Sequence, residues 1–238
     1  MNSNYEKTLD MNFDKALELC SNSYSHEELI EFLKTGNIPE KQYSALQLEQ
    51  LKSEEDAQIF LSNLINCDGK IREAVAQKFS EFVENQTYRE YFANHPDILA
   101  KSTIDINANI SRMVIDGLAT MKEFDDFGKK YANTLVAFIE EAFDGLNKII
   151  YKDKKYTINK QMFKLYWCLE GLNHFYKHVS INTLKHIIET SLAQSEYTVR
   201  EKAAQLLCNN DLKEAFNELF EKISLDENYY VRQFADKH

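Results

Sequence analysis

The feature that most constrains this chain is a short pattern that recurs along it. In its clearest copy, Ser195-Glu196-Tyr197-Thr198-Val199-Arg200-Glu201-Lys202-Ala203-Ala204-Gln205-Leu206-Leu207, a polar turn leads directly into a helix. With Val199 as position 0, Glu196 stands at −3, Arg200 at +1, Ala203 at +4 and Leu207 at +8. Residues four apart on a helix lie one above the other, so positions 0, +4 and +8 make one narrow stripe suited to burial. The template fits again at Asp68, Ile71, Arg72, Val75 and Phe79, and at Asn228, Val231, Arg232 and Ala235. A fourth copy is Asn107, Ile110, Val114 and Leu118, where Ser111 replaces the arginine; Asp105 and Asp226 stand at −5 before two of the copies.

A short acceptor at −3 suits a helix N-terminus, whose first backbone N–H groups have no partner within the helix. The arginine at +1 lies about 100° round the helix from the stripe, at its flank. From there it can reach an acidic or amide side chain of its own or a neighbouring turn, for example Asp68 from Arg72. Arg72, Arg200 and Arg232 therefore read as structural repeat arginines rather than as an anion site, because partly exposed pairs hold only about 0–1 kcal/mol each.

The pattern acidic-x-x-[Val/Ile]-Arg-x-x-[Ala/Val] resembles the HEAT-repeat family, particularly the short bacterial form of phycobilin lyase-like proteins. The matches are clear at 68–79, 195–207 and 226–235 and weaker at 105–118; copies near 39–51 and 159–172 rest on spacing. The resemblance implies an all-α, right-handed α-α superhelix of five or six helix pairs, one repeat domain over 1–238. It implies a scaffold that grips partners, with a few enzymes among the family. Its di-iron hydroxylases need several His-Glu dipeptides, and this chain has one, His26-Glu27. Its alkylpurine glycosylases need a basic concave surface. In such a pair the second helix lines the concave face, and +2 and +6 point away from the buried stripe. That row is Glu73 and Gln77, Arg112 and Asp116, Glu201 and Gln205, then Gln233 and Lys237. It is polar and leans acidic, and it is the candidate partner-binding surface.

Composition narrows the rest. Two prolines and six glycines in 238 residues favour long helices over a turn-rich β protein. A net charge of −10 lacks the basic face that tracks phosphates, so nucleic acid is excluded and a basic protein partner is favoured. Cys20, Cys67, Cys168 and Cys208 are scattered without a CxxC pair, which reads as reduced thiols in a cytoplasmic protein. No apolar run approaches membrane-spanning length.

Along the chain, residues 1–10 are expected to be disordered and a first helix covers 12–20. Ser25 and Glu28 form a capping-box signature before a helix ending at Gly36, and Pro39 suits the first turn of the next, 39–51. Ser53 caps another, and 70–84 carries the first strong template copy. Residues 85–104 read as the least regular part, a short helix around Tyr88, Tyr91 and Phe92 and another around Ile98 and Leu99, broken at His95-Pro96-Asp97. Residues 107–121 and 124–150 read as helical, and Tyr151–Tyr156 as a basic contact loop. Helix 159–177 carries large side chains around most of its circumference, so it should be covered on several sides. Helices at 181–194, 198–208, 211–224 and 229–237 follow.

Glu170, His174 and His178 have i, i+4, i+8 spacing, but the third diverges by a further turn, so no metal is assigned. No Walker loop, GxGxxG or nucleophile elbow occurs, and no cofactor or catalytic residue is assigned. The sequence thus points to a non-catalytic protein-binding scaffold. The alternative is a small-molecule-binding, lyase-like chaperone or enzyme with its site near Trp167 and His174.

Overall fold

A computed structural model describes residues 12–148, 155–208, 212 and 214–236. The contacts between Cα atoms gather the chain into two units, Met1–Glu123 and Phe124–His238. Among the described residues the regular structure is entirely helical.

In the first unit, α1 covers 12–20. It is followed by α2 (His26–Thr35), α3 (Ile38–Gln47), α4 (Glu54–Ser62), α5 (Gly69–Phe82), α6 (Gln86–Ala93), α7 (Pro96–Thr103) and α8 (Ala108–Leu118). The turn residues named from the sequence do the capping. The Ser25 hydroxyl and the Glu28 carboxylate close a reciprocal box, and Asn37 with Glu40 forms a second one just before Pro39. Ser53 accepts from the backbone N–H of Asp56, and three acidic residues in the first turn of α4 complement its positive end.

The helices form two layers. α3, α5 and α8 pack side by side in one; α4 packs on α2, α6 and α7 in the other. The stripe positions Ile71, Val75, Phe79, Ile110, Val114 and Leu118 are all buried between them. Phe60 of α4, Phe79 and Phe82 of α5 and Phe92 of α6 meet with ring centroids 5.1–6.4 Å apart. Each such ring removed from water contributes about 2–3 kcal/mol, which makes this cluster the main apolar anchor of the unit. Residues 85–104 hold the two short helices read from the sequence: α6 and α7 meet at the His95-Pro96 break, and Phe92 and Leu99 insert fully into the core.

The second unit holds α9 (Asp125–Asn147), α10 (Lys155–Phe175), α11 (Ile181–Leu192), α12 (Tyr197–Leu207), α13 (Asn217–Ser224) and α14 (Tyr229–Asp236). α10, α12 and α14 form one layer, while α9 packs on α10, α11 on α12, and α13 on α14 and α12. Phe127 and Tyr131 of α9 pack against Phe175 of α10, with centroids 5.0–5.8 Å apart. As its composition requires, α10 is covered widely: no residue from Gln161 to Tyr176 is exposed.

Three boundaries differ from the sequence reading. α10 begins at Lys155, so Lys155 and Tyr156 belong to a helix, and 151–154 lie outside the described residues. The helix expected over 211–224 is interrupted: Leu212 is helical, a turn follows at 214–216, and α13 runs from Asn217, while 211 and 213 lie outside the described residues. α3 ends at Gln47, before 51, because its apolar stripe gives way to Leu48 and Leu51, which are buried from an extended segment. The stretch 1–10 also lies outside the described residues.

Gly117 shows how tightly α8 meets α5. A β-carbon there would stand 2.6 Å from Phe79 Cε1 and 3.2 Å from its Cδ1. The Phe79 ring is fully buried and held by Phe92, so it has no room to retreat. Gly117→Ala should therefore destabilise by about 1–2 kcal/mol, the overpacking outweighing a helix-propensity gain of about 1 kcal/mol. A lower urea midpoint at unchanged slope is the expected result; a raised midpoint would show that the ring can move.

Candidate partner-binding site

The repeat arginines are held inside the structure. Arg72 reaches Asp105 in a two-toothed bond, Nε to Oδ2 at 2.6 Å and Nη2 to Oδ1 at 3.1 Å, and its Nη1 donates to the Cys67 carbonyl. Asp68 is not its partner, because the Asp68 carboxylate caps its own helix by accepting from the Lys70 backbone N–H. The partner is the −5 aspartate of a later copy, 33 residues along the chain. That aspartate is shared: Oδ1 also accepts from the Asn107 backbone N–H, while its backbone carbonyl accepts from the Ser111 hydroxyl.

The second unit repeats the arrangement. Arg200 binds Asp226 through Nε at 2.8 Å and Nη2 at 3.1 Å, and its Nη1 donates to the Gln194 and Ser195 carbonyls. Asp226 accepts from the Asn228 backbone N–H, and its carbonyl accepts from Arg232. Position +1 thus serves the carbonyl of its own −5 residue whether it is Ser111 or Arg232. Arg200 serves its −5 and −4 carbonyls and Arg72 its −4 carbonyl, and both also join a later copy.

A further instance escaped the sequence reading. Asn85 caps α6 at −3, and Arg89 at +1 donates to the Val83 carbonyl at 2.9 Å with Glu123 3.4 Å from its Nε. Its signal was Asn85, Arg89 and Phe92 at template spacing; Tyr88 in place of Val or Ile at position 0 concealed it.

These clasps leave the +2 and +6 row to the surface. Glu73 and Gln77 on α5 and Arg112 and Asp116 on α8 are exposed, on helices packed against each other. None of the four has a hydrogen bond or ion pair with another described residue. In the second unit Glu201 and Gln205 are half-buried. There Lys202 crosses to α10, its Nζ 2.7 Å from Glu170 and 3.0 Å from Gln205 Oε1, and lies over the Tyr166 ring at 5.0 Å. Burial opposes the charge on Lys202, but the Glu170 hydrogen bond and the surrounding negative charge outweigh it, so its pKa is raised. Gln233 is half-buried too, and Lys237 lies outside the described residues.

The Glu170, His174 and His178 set diverges in space. Glu170 turns to Lys202, while His178 lies against Gly128 of α9, where its ring would meet any β-carbon. Among the described residues no group of three or more His, Cys, Asp or Glu is placed to hold a metal. His26 Nε2 is 2.8 Å from Asp56 Oδ2, linking α2 to α4. Trp167 is buried and its Nε1 has no hydrogen-bond partner among the described residues. Cys20 is exposed, Cys168 is fully buried with its thiol pKa pushed up by desolvation, and none of the four cysteines is in a disulfide.

The helix pairs resemble HEAT repeats. No protein-family model matches the sequence, and no curated protein does. Solved structures do match. One comes from the complex of CpcE and CpcF of phycocyanin lyase from Nostoc sp. PCC7120, at 13% identity over 90% of this chain and 75% of that one, TM-score 0.47. The archaeal HEAT-like repeats protein from Thermococcus onnurineus NA1 matches at 13% identity over 91% and 96%, TM-score 0.39. A designed armadillo repeat protein matches at 12% identity over 89% and 97%, TM-score 0.44. At these identities and scores the likeness concerns the arrangement of helices and says nothing about activity.

The clasp carries a pH signature. Burial pushes the Asp226 carboxyl up, but the Arg200 hydrogen bond, the Asn228 N–H and the two guanidinium charges outweigh it and hold the pKa below 3.8. In the unfolded chain the group titrates at its ordinary value. Its contribution is therefore complete above that value and is lost as pH falls through the lower folded one. Between about pH 5 and pH 2 the wild type should lose more stability than Asp226→Asn, whose profile should be flatter. Parallel profiles in acid unfolding would contradict the assignment.

Proposed function

We propose that this protein is a non-catalytic binding module that holds another protein on the exposed polar row of α5 and α8. The observation that carries this reading is the set Glu73, Gln77, Arg112 and Asp116: exposed, on two adjacent helices, with side chains that make no hydrogen bond or ion pair to another described residue. The fold uses its other polar groups heavily, in caps, clasps and the Lys202 network, whereas this row answers to nothing inside the unit. The row carries two acids against one arginine, and the whole chain carries −10, so the partner we propose is basic. A strongly acidic chain is a poor match for nucleic acid. No helix among the described residues is long and apolar enough to cross a membrane. The scattered cysteines, read as reduced thiols, support the cytoplasmic location we propose.

A second reading, a small-molecule site beside α10, is favoured by one observation, the buried and unpartnered indole N–H of Trp167.

The two readings separate in one experiment. The wild type and a Glu73→Lys/Asp116→Lys/Glu201→Lys variant serve as baits in native extract, with circular dichroism and melting used to confirm that the variant folds. A partner retained by the wild type and reduced at least tenfold on the variant is the expected outcome. Equal capture by both would remove the row from the account, and capture by neither would move the reading to α10.

A further inference from the structure

A second surface stands apart from the polar row. Tyr197 opens α12, and Tyr229 and Tyr230 open α14. The Tyr197 and Tyr230 rings lie nearly parallel with centroids 6.2 Å apart, and Tyr229 meets Tyr230 edge-on at 5.8 Å. All three are open to solvent, with 37%, 62% and 54% of their area exposed. Leu225, in the turn before α14, is 83% exposed.

The repeat does not call for aromatic residues here. At the same template positions the first unit has Gly69 and Lys70 before Ile71, and Ala108 and Asn109 before Ile110, with the same backbone capping. Three exposed tyrosines therefore add nothing the turn requires, and they expose ring area that water solvates poorly. Tyrosine is enriched where proteins bind one another, because it offers a rigid ring face with a polar tip.

The carboxylates beside the rings set the chemistry of the occupant. Asp68, Asn107 and Asn228 at −3 all use their side chains to cap a helix, whereas Glu196 at the same position makes no capping bond. Its nearest contact is the Thr198 hydroxyl at 3.4 Å. Glu227 is 90% exposed and stands 3.5 Å from Arg200, whose charge Asp226 already answers through two bonds. An apolar partner would strip water from both carboxylates without compensation, and an anionic one would be repelled. A cation satisfies both features, since a guanidinium or ammonium is attracted to ring faces and to carboxylates alike.

We propose that Tyr197, Tyr229 and Tyr230, flanked by Glu196 and Glu227, form a docking face for a segment of a partner protein bearing arginine or lysine. This rests on the reading of the protein as a binding module and names a second contact on it. Because exposed cation–ring and ion pairs are individually weak, the segment presents two or more cations.

The test uses the full chain and a labelled peptide of alternating arginine and glycine, beside the same peptide with citrulline in place of arginine. Fluorescence anisotropy should show the arginine peptide bound about tenfold more tightly than its neutral counterpart. Tyr197→Ala/Tyr230→Ala should weaken it by about tenfold, while Tyr197→Phe/Tyr230→Phe, which keeps the ring faces, binds like wild type. Glu196→Gln/Glu227→Gln should weaken binding and flatten its dependence on salt. Wild-type affinity in the alanine variant, at an unchanged melting temperature, overturns the proposal. If instead the peptide is lost only from Glu73→Lys/Asp116→Lys, the docking face is wrong and the binding-module reading stands. Sedimentation of the same variants decides the remaining case: a wild-type dimer that dissociates in the alanine variant shows that a second copy covers the rings, and also overturns the proposal.

Discussion

A pair of aspartates, Asp105 and Asp226, governs how one repeat follows another. Each accepts a two-toothed guanidinium bond from an arginine well before it in the chain, while also holding the backbone turn that opens its own helix. The turn geometry and the spacing between helices are thereby set by the same carboxylate. Both pairs are largely screened from water, with side-chain exposures of 7–16%, so breaking one leaves a charge poorly solvated. Lysine could not replace either arginine without loss, because a point charge cannot make two parallel bonds and serve a carbonyl as well.

Apolar packing supplies most of the stability around these clasps, and it does so with different means in the two units. The first relies on a cluster of four phenylalanines contributed by α4, α5 and α6. The second relies on the long pair α9 and α10, joined through Phe127, Tyr131 and Phe175. In both, the clasps and caps absorb polar groups near the turns. What remains for outside contact is polar on the helix row of the first unit and aromatic at the turns of the second.

Much of this fold was legible in the sequence, for a definite reason. The stripe Ile71, Val75, Phe79 and its counterparts follow helical spacing closely, and short acceptors at −3 mark helix starts. The same local signals found both capping serines, Ser25 and Ser53. Contacts that cross between repeats were harder. Asp105 was visible at −5, but spacing along one copy cannot reveal that it belongs to Arg72 of another. Arg89 was hidden by Tyr88, because the template admitted only branched aliphatic residues at position 0. Helix ends were missed where side chains are buried from extended backbone, as at Leu48 and Leu51. The proposed binding surface was legible only in part. The polar row followed from helix geometry, whereas the tyrosine group depends on how α12 and α14 pack.

The central claim is that the arginine at +1 and the aspartate at −5 of a later copy act as one unit. A double-mutant cycle on Arg72→Met and Asp105→Asn, read by chemical unfolding, tests it most directly. The account predicts a coupling energy of about 1.5–3 kcal/mol, as befits a charge-assisted bond screened from water. Additive effects, with coupling below about 0.5 kcal/mol, would show that the two residues stabilise the repeats independently and would contradict it.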